Sequence, residues 1–327
     1  MNRRDSLAAM LGTVVIPPWA SNAWAQAAPV DKTLRIVVGF PAGGAGDAIA
    51  RMLVPHLRTT YATTVIVDNR AGAGGRIGTT FVKNADPDGM TMLLSAAPIL
   101  TIYPHIYKKL PYDTMRDFVP VTSVSTFNYA FTVGPAVPAS VKTLTDFATW
   151  VKANPDKAAF GSPAAGASPH FLGLLYSRAI SVDLNHIAYK GGAPLTQDLL
   201  GGQIPIAVDV AASHIPYLAD GRLRVLATSG KQKTVPSVPT VVEAGFPMLE
   251  LDEYFGLFMP RKTPPDMVAN MVAAVQAAIK QPDVIAGLTK LSLPPSGPPQ
   301  RDFEKQVEAD LVRWGPIVKA SGFVAED

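Results

Sequence analysis

The chain has 327 residues, 48% of them hydrophobic and 17% charged, a globular balance with room for two domains that each have a core. The formal net charge is only +3 and no run of Lys or Arg is interleaved with aromatics, which argues against nucleic acid or a charged membrane surface as partner. Cysteine is absent, which excludes a structural disulfide, a thiolate metal site, a Cys nucleophile and a lipoprotein anchor.

Residues 1–25 read as an export leader. Arg3-Arg4, a modestly apolar stretch and Ala23-Trp24-Ala25 before Gln26 fit a signal peptide cleaved after Ala25, which places the mature chain in the periplasm. The Arg pair is similar to a twin-arginine signal. The Phe usual before Leu7 is missing and Pro17-Pro18 weaken the apolar core, so general secretion stays open. No later segment approaches the roughly 18 uninterrupted apolar residues of a membrane span.

From Thr33 short apolar runs alternate with helical patterns, the signature of an α/β fold with mostly parallel strands. Leu34–Phe40 reads as a strand and Ala48–Leu57 as a helix with Ile49, Met52, Leu53 and Leu57 on one face. A strand at 64–69, a glycine-rich turn, a helix over 78–84 and a strand at 90–96 follow. Phe118–Val133 is long, extended and apolar, and suits a crossing from one domain to another. Next come a helix over 144–153, a strand at 158–162, the loop "PAAGASPH" and a helix over 171–180. They repeat the opening design of strand, glycine turn and helix. The pattern continues with the stretch 184–190, a helix over 193–200, a strand at 204–210, a helix over 214–220 and a strand at 222–228. The stretch 251–260 suits a return crossing, and helices over 266–280, 283–291 and 302–320 close the chain. Two crossings around a central block predict two lobes, 26–128 plus 253–327 and 129–252, with a hinged cleft between them.

The turn "PAGGAGD" sits where a strand ends and a helix begins. Unpaired N–H groups and the positive end of the helix dipole suit an anion there, and glycine admits close approach. A dinucleotide fingerprint fails because Ile49 stands where the third glycine belongs. Asp47 fits the helix N-cap, while the amides of Ala42, Gly43 and Gly44 are expected to face the cleft. In the second turn Ser168 fits an N-cap and Pro169 the first helical position, whereas Ser162 and Gly166 add a hydroxyl and an accessible amide. His170 fits a packed histidine better than a ligand contact. Nucleophilic catalysis has no support, because "GSPAAG" is not G-x-S-x-G and the five histidines show no ligand spacing. Asp209 stands out inside the apolar run "IPIAVDVAA", where an acid needs a partner, either a ligand hydroxyl or ammonium or a neighbouring backbone group.

Several stretches, in order, resemble the solute-binding receptors of tripartite tricarboxylate transporters, the Bug family. They are "PAGGAGD" (41–47), "VDNRAGAGGRIG" (67–78), "ADPDGMTMLL" (85–94), "YKKLPYDTMRDFVPV" (107–121), "AYKGGAP" (188–194), "LLGGQIPIAVD" (199–209), "LATSGKQKTVPSVPTVVEAGFP" (226–247) and "YFGLFMPRKTPPDMV" (254–268). The resemblance implies a type II periplasmic-binding-protein fold, in which two α/β lobes joined by two hinge strands close on a small carboxylate. It implies no enzymatic activity, no cofactor and no metal. The expected partner is a membrane permease, with the receptor itself a monomer. Carried over, Phe40, Pro41, Ala42, Gly43 and Gly44 hold a ligand carboxylate, and the 162–170 loop (Ser162, Ala164, Gly166, Ala167, Ser168, His170) holds the other end. Asp47, Ser95 and Asp209 complete the pocket. This chain departs from the family's second loop at Ala165 and Ala167, where Asn and Thr are usual. That loss of two polar groups predicts a ligand with an apolar or aromatic body. A sensor that docks on a signalling partner and an exported hydrolase are the competing readings.

Overall fold

The computed structural model describes residues 29–231, 233, 235–321 and 323; the expected leader lies outside them. Among the described residues no helix is long and apolar enough to cross a membrane.

Among the described residues nine strands form a single curled sheet: β1 (Val30–Val38), β2 (Ala62–Asn69), β3 (Thr91–Ala96), β4 (Phe118–Val133), β5 (Ala159–Ser162), β6 (Asn185–Ala188), β7 (Ile206–Val210), β8 (Arg224–Thr228) and β9 (Asp252–Pro260). Their order is β2-β1-β3-β9-β4-β7-β5-β6, and β8 also pairs with β4. The α-helices of the described residues are α1 (Ala45–Thr60), α2 (Arg76–Lys83), α3 (Pro98–Thr101), α4 (Tyr103–Ile106), α5 (Thr114–Asp117), α6 (Leu144–Ala153), α7 (Ser168–Ala179), α8 (Gly192–Leu200), α9 (Pro265–Ala278), α10 (Pro282–Lys290) and α11 (Gln300–Ser321).

Parallel pairing is confined to two groups, β2-β1-β3 and β6-β5-β7. The expectation of a mostly parallel sheet is corrected here, because β4 and β9 run antiparallel to every strand they touch. These two strands carry the chain between the lobes. β4 pairs with β9 from Phe118 to Asn128, then with β7 and β8 from Tyr129 to Val133. One strand thus belongs to both halves of the sheet. A strand running out and a strand running back lie side by side, which requires antiparallel pairing.

Helices cover the sheet through periodic apolar faces. In α1 the residues Ile49, Ala50, Leu53 and Leu57 are buried, and α9 and α10 from the C-terminal region pack against it. α11 lies on β4 and on α3 and α4, with Phe303 meeting the rings of Tyr254 and Phe258 at 5.2 and 5.6 Å. The second half has its own aromatic cluster, in which Tyr176 meets Phe131 and Phe147.

The helix expected over 214–220 is replaced by two single 3-10 turns, Ala211–Ser213 and Ile215–Tyr217. Pro216 has no N–H to give to a helical ladder, and seven residues are too few to offset the cost of nucleating an α-helix.

Candidate functional site

β1 ends at Val38 and the chain turns through Gly39–Gly44 into α1, whose N-cap is Gly44 without a side-chain cap. Asp47 is therefore the third helical residue rather than the N-cap. Its Oδ2 reaches back to accept from the Gly43 amide at 3.0 Å and from Arg51 Nε at 2.9 Å. Burial pushes the Asp47 carboxyl up, but the Arg51 and Gly43 hydrogen bonds outweigh it and hold the group below the usual carboxylate range. The acid thus fixes the turn with its charge already balanced. Gly39 and Gly75 touch through their backbones, since a Cβ on Gly39 would lie 2.9 Å from the Gly75 Cα. This contact brings the start of α2 onto the same wall.

The second turn follows β5. Helix α7 begins at Ser168 with Ala167 as N-cap, so Ser168 and Pro169 each sit one position further into the helix than expected. The Ser168 hydroxyl is committed elsewhere and donates to Glu253 Oε1 at 2.5 Å. Ser162 is fully buried and bonds the Ala164 carbonyl at 3.2 Å and His186 Nε2 at 2.7 Å. His170 Nδ1 accepts from the Gly166 amide at 3.0 Å, and its ring stacks on His186 with centroids 3.8 Å apart. Burial lowers the His170 pKa to about 4, and that of His186 to about 3, so both rings are neutral at physiological pH.

A single cavity lies between the two turns. From the first half its wall holds Phe40, Pro41, Gly44, Ala45, Asp47, Ser95 and Ile99. From the second half it holds Pro163, Ala164, Ala167, Pro169, Gly192 and Asp209, and the crossing strands supply Tyr129 and Phe255. Ala42 and Gly43 line an adjoining crevice with Gly192, Ala193 and Ser213. Ser162, Gly166, Ser168 and His170 are not on the cavity wall; they hold the second loop in shape from behind. Ser95 is on the wall, with its hydroxyl donating to the Ala96 carbonyl.

Among the described residues no Lys, Arg or His lines this cavity. The first turns of α1, α7 and α8 border it, and a helix start is where backbone N–H groups lack helical partners and the dipole is positive. α8 opens at N-cap Gly191, whose φ of +110° is natural only to glycine. Its contacts span the cleft: a Cβ on Gly191 would lie 2.9 Å from Pro41 Cδ and 3.2 Å from Phe40 Cδ1.

Residues 49–323 match the model of the tripartite tricarboxylate transporter family receptor. The chain belongs to this family. A relative from Pseudomonas sp. (strain P51), described as a UPF0065 protein in the tcbD-tcbE intergenic region, is 33% identical over 88% of this chain and 85% of its own length. The solved structure of the periplasmic binding protein BugD matches with a TM-score of 0.83 at 29% identity, covering 90% of this chain and 99% of its own. The R. palustris protein Rpa4515, solved with adipate, also matches with a TM-score of 0.83 at 27% identity over 89% of this chain and 98% of its own.

Members of the tripartite tricarboxylate transporter receptor family are periplasmic binding receptors, not enzymes. In this member several wall residues escape sequence reasoning. Phe255 and Tyr129 face the cavity from strands whose even apolarity hides which side is lined. Gly75, the N-cap of α2, and Thr79, within it, belong to a helix start that the preceding glycine-rich run already signals. The double glycine of "AYKGGAP" is the same signal for α8. Glu253 is buried beneath the cavity, accepting from Ser168 and, in a very short bond, from the Tyr129 hydroxyl. Nothing local in "LDEYFG" distinguishes it from a solvated acid.

Proposed function

We propose that this chain is the extracytoplasmic receptor of a tripartite transporter. It captures a small carboxylate with an apolar or aromatic body and delivers it to a membrane permease. It acts as a monomer in the periplasm after cleavage of residues 1–25, with lobes formed by 26–128 plus 253–327 and by 129–252. The observation that carries this reading is the cavity itself. Three helix starts, from both sides of the cleft, border a largely apolar wall that carries no cation among the described residues. Oriented amides in a site shielded from water bind an anion more strongly than water-exposed ones do. Phe40, Phe255, Ile99, Ala164 and Ala167 offer the ligand's body carbon rather than polar atoms. The adipate bound by the related R. palustris protein supports an acid with an apolar chain.

A thermal-shift screen of carboxylates tests the ligand class. An aromatic or medium-chain acid at a hundredfold excess over Kd is expected to stabilise the chain by about 2.7 kcal/mol. Citrate binding tighter than every aromatic or long-chain acid in a calorimetric panel would refute the apolar-body assignment. Cells that lack the chain but keep the permease should lose high-affinity uptake of the selected acid. Unchanged uptake would refute the transport assignment.

A further inference from the structure

Asp209 sits on β7 with 2% of its surface exposed and lines the cavity. Its Oδ1 accepts from the next residue's amide, Val210 N, at 2.7 Å. Its Oδ2 is buried without a hydrogen-bond partner. That oxygen lies against the start of α8: a Cβ on Gly192 would stand 2.6 Å from Asp209 Oδ2 and 3.4 Å from Ser213 Oγ. The other titratable groups on the cavity wall are Asp47, from α1, and Tyr129, from the neighbouring strand β4. Tyr129 is engaged by Glu253, and Asp47 is paired with Arg51 and Gly43 through Oδ2, while its Oδ1 is buried without a partner. From every side, then, Asp209 meets no cation.

An uncompensated buried carboxylate is costly, and the group keeps its proton instead. Burial raises the Asp209 carboxyl to about 7, and the Val210 amide and the nearby Ser213 hydroxyl pull it back only in part. A protonated acid beside a helix N-terminus adds an O–H donor to a place where the dipole is already positive. Such a place suits a second anion. An ammonium there would meet the positive end of the α8 dipole.

We propose that Asp209 is a proton-carrying subsite: the ligand is a dicarboxylate, and its second carboxylate accepts a hydrogen bond from the protonated Asp209 Oδ2 beside the start of α8. This deepens the receptor reading above and rests on it. The first carboxylate is held at the α1 and α7 turns, and the apolar wall covers the carbon chain between. No bond to carbon changes. Where Asp209 is ionised in the free receptor, binding takes up one proton from solvent, which stays on the Asp209–carboxylate pair.

The test is calorimetry of the mature full chain between about pH 6 and pH 8.5 in buffers of different ionisation enthalpy. The probes are unbranched α,ω-dicarboxylates of four to eight carbons, each with its matched monocarboxylate. The expected result is a dicarboxylate Kd that rises toward about tenfold per pH unit above neutrality, with about one proton taken up. Monocarboxylate binding should stay flat. Asp209→Asn, which keeps a donor at the same place, should bind the dicarboxylate within a few-fold of wild type at pH 6 and lose both the pH dependence and the proton uptake. The wild-type series alone decides the matter if that variant does not fold. A flat dicarboxylate profile, or monocarboxylates that bind as tightly as dicarboxylates at pH 6, would overturn the proton-carrying subsite and leave the receptor reading intact. Preference for chains bearing a hydroxyl, lost in Asp209→Asn, would overturn it too. Absence of binding by every carboxylate at every pH would bring down the receptor reading as well.

Discussion

Glu253 shows what a single residue can do at the junction of the crossing strands. It sits at the start of β9, 4% exposed, and holds Ser168 of α7 and Tyr129 of β4 with its two oxygens. Burial raises its carboxyl to about 7, although the Ser168 and Tyr129 hydrogen bonds favour the ionised form. The folded chain therefore keeps a proton that the unfolded chain releases above its ordinary carboxylate pKa. The stability tied to that proton is complete below the unfolded value and is lost as pH rises through about 7. The buried histidines act with the opposite sign. His170 and His214 are depressed to about 4 and His186 to about 3 by burial, so their contribution is present above about 6.5 and is lost as pH falls. Glu253→Gln should flatten the fall in Tm between pH 5 and pH 7.5 by a few degrees. An unchanged Tm–pH slope in this variant would show that Glu253 does not hold its proton in the folded chain.

At the scale of elements, the cavity depends on how closely α7 lies on β5. Gly173 in the middle of α7 faces Phe160, and a Cβ there would stand 2.0 Å from the Phe160 Cε2. In an exposed helix, Gly→Ala stabilises by roughly 1 kcal/mol. Here the methyl group would drive the helix off the strand, so Gly173→Ala should destabilise by about 1–3 kcal/mol in urea unfolding and weaken ligand binding. A neutral or stabilising result would mean that Phe160 turns aside freely. The same logic places α11 on β9. Gly256 leaves room for the Phe303 ring, where a Cβ would stand 2.5 Å from Cζ. Both contacts let a helix reach the sheet at backbone distance, which no larger residue permits.

At the scale of the molecule, the two halves meet on either side of the cavity. Gly191 rests against Phe40 and Pro41, and Gly166 packs on Ile106, where a Cβ would stand 2.2 Å from Cδ1. These contacts join the two halves beside the cavity, so a ligand that binds better to the joined arrangement than to a separated one would favour it. Gly191→Val would put a side chain between the halves. Its expected effect is a ligand Kd weakened about tenfold or more and a ligand-bound radius of gyration that stays near the free value. Strain from the positive φ lowers the Tm of the free protein by an amount corresponding to about 1–3 kcal/mol, which a ligand-free melt measures separately. Wild-type affinity in this variant would show that Gly191 does not limit closure.

What the chain determined by itself is local. Alternating apolar runs, the glycine turns after β1 and β5 and the long apolar stretches of β4 and β9 are all written in spacing and turn chemistry, which act over a few residues. The presence of both glycine turns on one wall, the antiparallel pairing of β4 with β9 and the third helix start at Gly191 depend on contacts between distant segments. So do the roles of the polar residues. Asp47 looked like a cap and is a brace, because α1 starts two residues before it, at Ala45. Ser162 looked toward the cleft and is bonded to His186, while His170, which fitted a packed histidine, accepts from the Gly166 amide. Asp209 announced itself as an acid in an apolar run, whereas Glu253, equally buried, did not. Burial and the absence of a partner are properties of everything packed around a side chain, so only the tertiary structure decided which acid faces the cavity and which one lies beneath it.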